Sequence, residues 1–345
     1  MSKPYVLGID IGGTNTVFGI VDARGHVLAS SSIKTAKHHN FDDYIAELHA
    51  EIMKLLEANE AVDKIQGIGI GAPNANYYTG EIVDAPNLPW SGTLSIASKV
   101  SAAFKGIPVA VTNDANAAAL GEMTYGAARG MRDFIMITLG TGVGSGIVIN
   151  GQLVYGHDGF AGELGHVIRK PNNGRICGCG RTGCLEAYCS ATGVARTARE
   201  FLETRTDPSS LRQLEIENIT SKDVYEAAAT GDKMAKEIFE YTGKMLGDAF
   251  ADFVAFSSPQ AIVLFGGLAR SGEMLLKPLR EEFEKALMPV FRGKTKIILS
   301  ELKESDAAVL GASALGWEAK YRAEVPISSV PTVAEVPASD DSKEA

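Results

Sequence analysis

Disulfide-forming cysteine, clustered positive charge and long apolar runs are all scarce in this chain, and each scarcity removes a class of function. Four cysteines in 345 residues, three of them crowded between positions 177 and 184, do not make the disulfide framework of an extracellular protein. No block of lysine and arginine forms a phosphate-tracking stripe, and the formal net charge is -9, so neither DNA nor RNA is an expected partner. No apolar run is long enough to span a bilayer. The early apolar stretch from Tyr5 holds an acid, Asp10, that a signal peptide would not tolerate, and the expected location is cytoplasmic. Two nucleotide-binding signatures are missing as well. There is no Gly-x-x-x-x-Gly-Lys-Ser/Thr run, which excludes the P-loop NTPases. The Gly-x-Gly-x-x-Gly match at Gly178, Gly180 and Gly183 sits among cysteines and follows no strand, so a Rossmann reading fails on context.

What is present is an ordinary globular composition, 45% hydrophobic and 22% charged, with 37 glycines that suggest many tight turns. The length exceeds what one core usually organises, so two packed lobes with a site between them are expected. Residues 5–10 read as a strand, followed by a Gly-Gly-Thr turn, a strand over 17–21 and a turn at 22–25. The pattern recurs with a strand over 134–138, a turn over Gly140–Gly144, a strand over 147–149 and a turn at Asn150-Gly151. Two copies imply two related lobes.

Between the copies, Ile45, Leu48, Ile52 and Leu55 keep helical spacing, 65–70 and 107–112 are buried-type strands, and an alanine-rich helix opens at Asn113 or Asp114. Farther on come helices around 187–203, 223–229 and 232–255, a strand over 261–265, a helix after Ser271, a strand over 295–299 and a last helix over 306–322. The expected class is α/β, with mixed sheets covered by helices. Residues 1–115 form the expected first lobe and 116–323 the second, whose last helix could pack back on the first. Residues 324–345, with Val-Pro, Ser and acidic residues in no period, read as a disordered tail.

Asp10-Ile-Gly-Gly-Thr14 puts a carboxylate at a strand end before two glycines and a hydroxyl. Backbone N–H groups of such a turn can face phosphate oxygens where a Cβ would collide, and the acid is placed to hold a hydrated Mg²⁺. One such loop is usually only a hairpin turn. Leu139-Gly140-Thr141-Gly142-Val143-Gly144 repeats the chemistry, however, and Leu264-Phe265-Gly266-Gly267-Leu268 again follows an apolar strand. Two lobes could then grip one nucleotide.

Val111-Thr-Asn113-Asp114 ends a strand and opens a helix, and locally a plain helix cap competes evenly with a functional acid. The carboxyl end of a strand in an α/β lobe favours a site. In phosphoryl transfer one carboxylate accepts the alcohol proton, a role that falls to Asp114, with Asn113 reaching a neighbouring hydroxyl. His166 and Cys177, Cys179 and Cys184 offer an imidazole and three thiolates, a set that favours a closed structural Zn²⁺ site. A rival set replaces His166 with Cys189, read here as a packing residue, and the plain alternative is a group of reduced core thiols. Glu163 and Glu186 flank the cluster and would bring two carboxylates toward sugar hydroxyls.

Asp10–Thr14, Asn113-Asp114, Leu139–Gly144, Gly162-Glu163-Leu-Gly-His166, Cys177-x-Cys179-Gly-x-x-Gly-Cys184-Leu-Glu186 and Phe265-Gly266-Gly267 together resemble the ROK family of bacterial sugar kinases and repressors, over about residues 4–320. The resemblance implies a two-lobed ribonuclease H-like fold of the actin and hexokinase type, with ATP and Mg²⁺ as cosubstrates. By motif position it implies that Asp10, Gly12, Gly13, Thr14, Gly140, Thr141 and Gly142 meet phosphates and that Gly266 and Gly267 lie near the adenosine. Asp114 corresponds to the catalytic base, and Asn113, Glu163, His166 and Glu186 to sugar contacts, with His166 also on zinc. Gly71 and Asn87 fall in segments that resemble the sugar-lining loops. Within the family the pattern looks most like the ATP-dependent glucokinases, which phosphorylate the 6-hydroxyl. Kinases for N-acetylglucosamine, N-acetylmannosamine, mannose or fructose are the near rivals. Relatives are commonly dimers or tetramers, so a homo-oligomer is expected. Repressor members carry a winged helix before the first phosphate loop, for which the position of Asp10 leaves no room. A non-catalytic sugar sensor is the remaining alternative, and Asp114 argues against it.

Overall fold

The computed structural model describes residues 4–324. The tail expected over 324–345 lies, apart from its first residue, outside the described residues. A meander of β1 (Tyr5–Ile11), β2 (Asn15–Asp22) and β3 (Val27–Lys34) opens the chain. Helix α1 (Phe41–Ala58) starts at Asn40, whose side chain accepts from the Asp42 and Asp43 amides, and it buries Tyr44, Ile45, Leu48, Ile52 and Leu56 along one face. That spacing is what an amphipathic helix lying on a sheet requires.

Then come β4 (Ile65–Gly71), the short strands β5 (Ala75–Asn76), β6 (Glu81–Val83) and β7 (Thr93–Leu94), helix α2 (Ile96–Ala103) and β8 (Val109–Thr112). The main strands form one sheet in the order β3-β2-β1-β4-β8, and β5, β6 and β7 form a small sheet of their own.

Helix α3 (Asp114–Tyr125) leads into a second sheet made of β9 (Phe134–Leu139), β10 (Val143–Ile149), β11 (Gln152–Leu153), β12 (Ala261–Phe265) and β13 (Lys296–Leu299), in the order β11-β10-β9-β12-β13. The two sheets share one topology. In each, three antiparallel strands are followed by two that run parallel to the first. This is the duplicated mixed sheet expected from the repeated strand, turn and strand.

The second turn is shorter than the glycine spacing suggests. Val143 and Gly144 already pair with Leu139 and Thr138, which leaves Gly140–Gly142 as the turn. The helix expected over 187–203 is broken. Helix α4 (Glu186–Cys189) ends at Ser190, whose extended backbone and side-chain acceptor for the Gly193 amide start α5 (Ala191–Thr204). Helices α6 (Ser221–Ala229), α7 (Lys233–Ser257) and α8 (Glu273–Ala286) complete the cover of the second sheet.

The last helix, α9 (Glu304–Glu324), lies against the first sheet. Glycines make this approach possible: a Cβ on Gly8 would stand 2.2 Å from the Val309 carbonyl, and one on Gly69 only 1.8 Å from that of Ala312. Together α3 and α9 join the two halves, with Ala119, Leu120, Phe134, Met136, Val263, Ala314 and Leu315 in one buried cluster. Among the described residues no helix is long and apolar enough to cross a membrane.

Candidate active site

Parallel strands in register deliver their carboxyl ends to one place. Asp10 pairs with Gly71 and Gly71 with Thr112, while Thr138 pairs with Phe265 in the second sheet. The loops leaving these strands therefore converge, as ligand-binding loops do in open α/β sheets. They line a cleft of about 400 Å³ with Asn87, Asn113, Asp114, Gly140, Thr141, Gly142, Glu163, His166, Glu186 and Gly266 on its walls. An adjoining cavity of about 300 Å³ holds Asp10, Gly12, the other side of Asp114 and the buried Glu122.

Side-chain geometry shows which residue caps α3. Asn113 Oδ1 accepts from the Asn116 amide at 2.7 Å and is the cap of α3. Asp114 Oδ1 accepts from the Ala115 amide at 2.8 Å. Asp114 is open to water within the cleft, yet protein walls crowd it, and this burial raises its carboxyl above the usual aspartate range against the pull of its amide contacts. Asp10 is pushed up to about 7, by burial first and then by the charge of Asp114. Two carboxylates this crowded resist ionising together, which is the electrostatic demand that a divalent cation relieves.

Gly71 does not line the cleft. It packs on α3 behind the acids, where a Cβ would stand 3.2 Å from that of Ala117 and in ordinary contact with Asp10 and Asp114. Gly13 packs on the loop of Asn87, where a Cβ would meet the Asn87 carbonyl at 2.1 Å. Thr14 is exposed at the outer side of the turn and lines neither cavity. Gly267 faces a neighbouring pocket with Ser221, Lys222, Tyr225 and Arg270, while Gly266 faces the cleft, so the two spaces meet at that peptide.

On the opposite wall the His166 ring faces two ways. Its Nδ1 is 3.6 Å from Cys177 Sγ, and its Nε2 is 3.8 Å from a Glu163 oxygen. Cys179 and Cys184 sulfurs are 3.7 Å apart, and the donor atoms of all four residues lie within 4.8 Å of one another. Thiolates about 2.3 Å from a tetrahedral Zn²⁺ stand roughly 3.8 Å apart, so the donor set fits that ion. Cys189 is outside the group, buried in α4 with its sulfur 3.7 Å from the Thr242 carbonyl. Glu186 binds the cluster to the start of β10, next to the second glycine turn: Oε2 accepts from the Val143 amide at 2.9 Å, and Oε1 is 3.4 Å from Cys177 Sγ. A Cβ on Gly142 would lie 2.5 Å from Glu186 Oε2, so a side chain there would push the Glu186 carboxylate aside.

Two supports of this wall escaped the sequence reading. Arg175 is buried and donates to the Ala187 carbonyl at 2.9 Å, the Gly193 carbonyl at 3.1 Å, Thr197 Oγ1 at 2.9 Å and Glu200 at 2.6 Å, so it holds α4 and the start of α5 together. Ser145 Oγ donates to the Gly162 carbonyl and accepts from the Leu164 amide at 3.0 Å, bracketing Glu163. Neither residue belongs to a local pattern. Only the alternation of β10 marks Ser145 as an inward-facing hydroxyl among glycines.

A glucokinase of Halalkalibacterium halodurans is 35% identical to the chain, covering 93% of it and 97% of the relative. One of Thermotoga maritima is also 35% identical, over 91% and 98%. A solved ROK family glucokinase from Streptomyces griseus, in complex with glucose and AMPPNP, superposes with a TM-score of 0.75 at 32% identity, covering 91% of this chain and 99% of that one. The fold is thus the two-lobed ATPase architecture of actin and the hexokinases. The ROK family profile matches residues 6–319, and the chain belongs to the ROK family.

Proposed function

We propose that the chain transfers the terminal phosphoryl group of ATP to the 6-hydroxyl of a hexose, with glucose as the preferred acceptor and Asp114 as the base. The observation that carries this reading is the placement of Asp114 between the two glycine turns and a wall of sugar-type acceptors. Asn87, Asn113, Glu163, His166 and Glu186 share one cleft with it, and a ring of carboxylates, amides and an imidazole matches the alternating hydroxyls of a pyranose. Glucokinase relatives that align over nearly the whole chain support the substrate.

In this reading the amides of Gly13, Thr141 and Gly142 receive the phosphates, the Gly12 and Gly140 amides being taken up by the Asn15 and Gly142 carbonyls at 3.0 and 3.1 Å, and the adenosine runs past Gly266 toward Gly267. Asp114 accepts the proton of the 6-hydroxyl as that oxygen bonds to the γ-phosphorus and ADP leaves with the electrons of the broken phosphoanhydride bond. Asp10, buried beside a second carboxylate, is the residue that would hold Mg²⁺ through its hydration shell. When bound, the ion would neutralise charge on the phosphates. We assign Zn²⁺ to His166, Cys177, Cys179 and Cys184. With four protein ligands no position is open for chemistry, and the role of the cluster is to fix His166 and Glu186.

ADP release measured over glucose, mannose, fructose, N-acetylglucosamine and N-acetylmannosamine tests the proposal. The expected outcome is the highest kcat/KM on glucose. A higher value on an N-acetylhexosamine overturns the choice of sugar, and no ADP release on any of them overturns the kinase.

A further inference from the structure

The loop that runs from β11 to Glu163 is tied to the other half of the molecule. Asn76, at the end of β5, is buried and donates from Nδ2 to the Asp158 carbonyl at 2.6 Å, across 82 residues of chain. Its Oδ1 accepts from the Tyr78 and Thr79 amides at 2.9 and 3.2 Å, which fixes the carboxamide in one orientation. The Tyr78 hydroxyl donates to the Gly156 carbonyl at 2.8 Å. The Tyr77 and Tyr155 rings stack with centroids 3.6 Å apart and planes within 6°. Gly159, at φ +89°, lets the loop come this close, because a Cβ there would stand 2.6 Å from Asn76 Oδ1. At the far end Ser145 holds the peptides on either side of Glu163. Glu163 thus hangs between two anchors, one on each half.

Asn76, Tyr77, Tyr78 and Tyr155 do not line the cleft, so none of them is placed to touch a sugar. Asn76 does share its small sheet with the strands on either side of Asn87. We infer that Asn76 is a positioning residue: its bond to Asp158 sets the separation between Asn87 on one half and Glu163 on the other, and so the width of the sugar subsite. The inference rests on the sugar-contacting roles proposed above for those two residues. Asn76 is buried while Asp158 is exposed, so losing the bond releases the loop at Asp158 to water rather than stranding a buried carbonyl.

The test is calorimetric titration of glucose into nucleotide-free wild type, Asn76→Ala and Tyr78→Phe, with hydrogen exchange followed on residues 156–162. Asn76→Ala is expected to weaken glucose binding by up to about tenfold, the net scale of one hydrogen bond lost. It should also speed exchange in 156–162 and leave the KM for ATP unchanged. Tyr78→Phe, which deletes one hydroxyl at a half-open site, should shift glucose affinity in the same direction by less. A variant that melts earlier but binds glucose as the wild type does would show a merely structural role and overturn the inference. Should Asn76→Ala fail to fold, wild-type affinity in Tyr78→Phe overturns it equally. If the wild type itself binds no hexose, the sugar reading falls and takes the latch with it. If the wild type binds and both variants match it, the latch alone falls.

Discussion

Asp114→Asn separates proton transfer from every other role this residue could have. The carboxamide has the size of the carboxylate, and its oxygen can still accept from the Ala115 amide, a bond of 2.8 Å in the native protein. Helix α3 keeps its start as well, because the cap is Asn113. What disappears is the ability to take a proton. General-base catalysis contributes about 10²–10⁴-fold, which at roughly 1.4 kcal/mol per decade is about 3–6 kcal/mol of the barrier. Coupled ADP release at saturating glucose and ATP should therefore show kcat down by at least about a hundredfold, while glucose affinity by calorimetry stays within about threefold. The wild-type rate should also fall on the acid side at a pH above the usual aspartate range, because burial raises the Asp114 carboxyl and the protonated form cannot act as base. A variant that keeps kcat within about fivefold of wild type would refute the assignment, since removal of a general base is worth far more than that.

Two further outcomes follow from the same site. Cys179→Ser should abolish the zinc found by metal analysis of purified protein and raise the glucose KM more than it lowers kcat, because His166 and Glu186 both lean on the cluster; full activity with no zinc bound would detach the cluster from the sugar site. Asp10→Asn should abolish turnover yet stabilise the divalent-free protein at neutral and higher pH. The folded-state pKa of Asp10 is raised from 3.8 to about 7, so the stability linked to its proton is full below the unfolded value and is lost as pH rises through the folded one. The melting temperature of the variant should exceed that of wild type well above neutral pH and converge with it in acid; an equal offset at both ends would show that ionisation is not the cause.

The candidate site was legible wherever a short segment carries its own geometry. An apolar strand followed closely by glycines announces a tight turn, and both Asp10–Thr14 and Leu139–Gly144 show this within six residues. The recurrence of that unit was enough to anticipate two sheets of like topology. Segments whose conformation depends on pairing were read less well. The second glycine turn looked longer than it is because nothing local tells that Val143 and Gly144 continue the ladder to Leu139 and Thr138. The helix after Cys184 looked continuous because the break at Ser190 depends on packing and a cap.

By itself, then, the chain determined which chemical groups were available and in what local shapes: the acids at strand ends, the glycine turns, the thiolate cluster. Those follow from backbone sterics and side-chain chemistry acting over a few residues. Only the tertiary structure decided that Asn113 and not Asp114 caps α3, that Gly71 packs on α3 rather than lining the cleft, that Arg175 and Ser145 support the far wall, and that Asn76 bonds the loop before Glu163. Each of these depends on a contact whose partner is fixed by how elements pack or pair, and such a contact exists only once the fold has brought the two surfaces together.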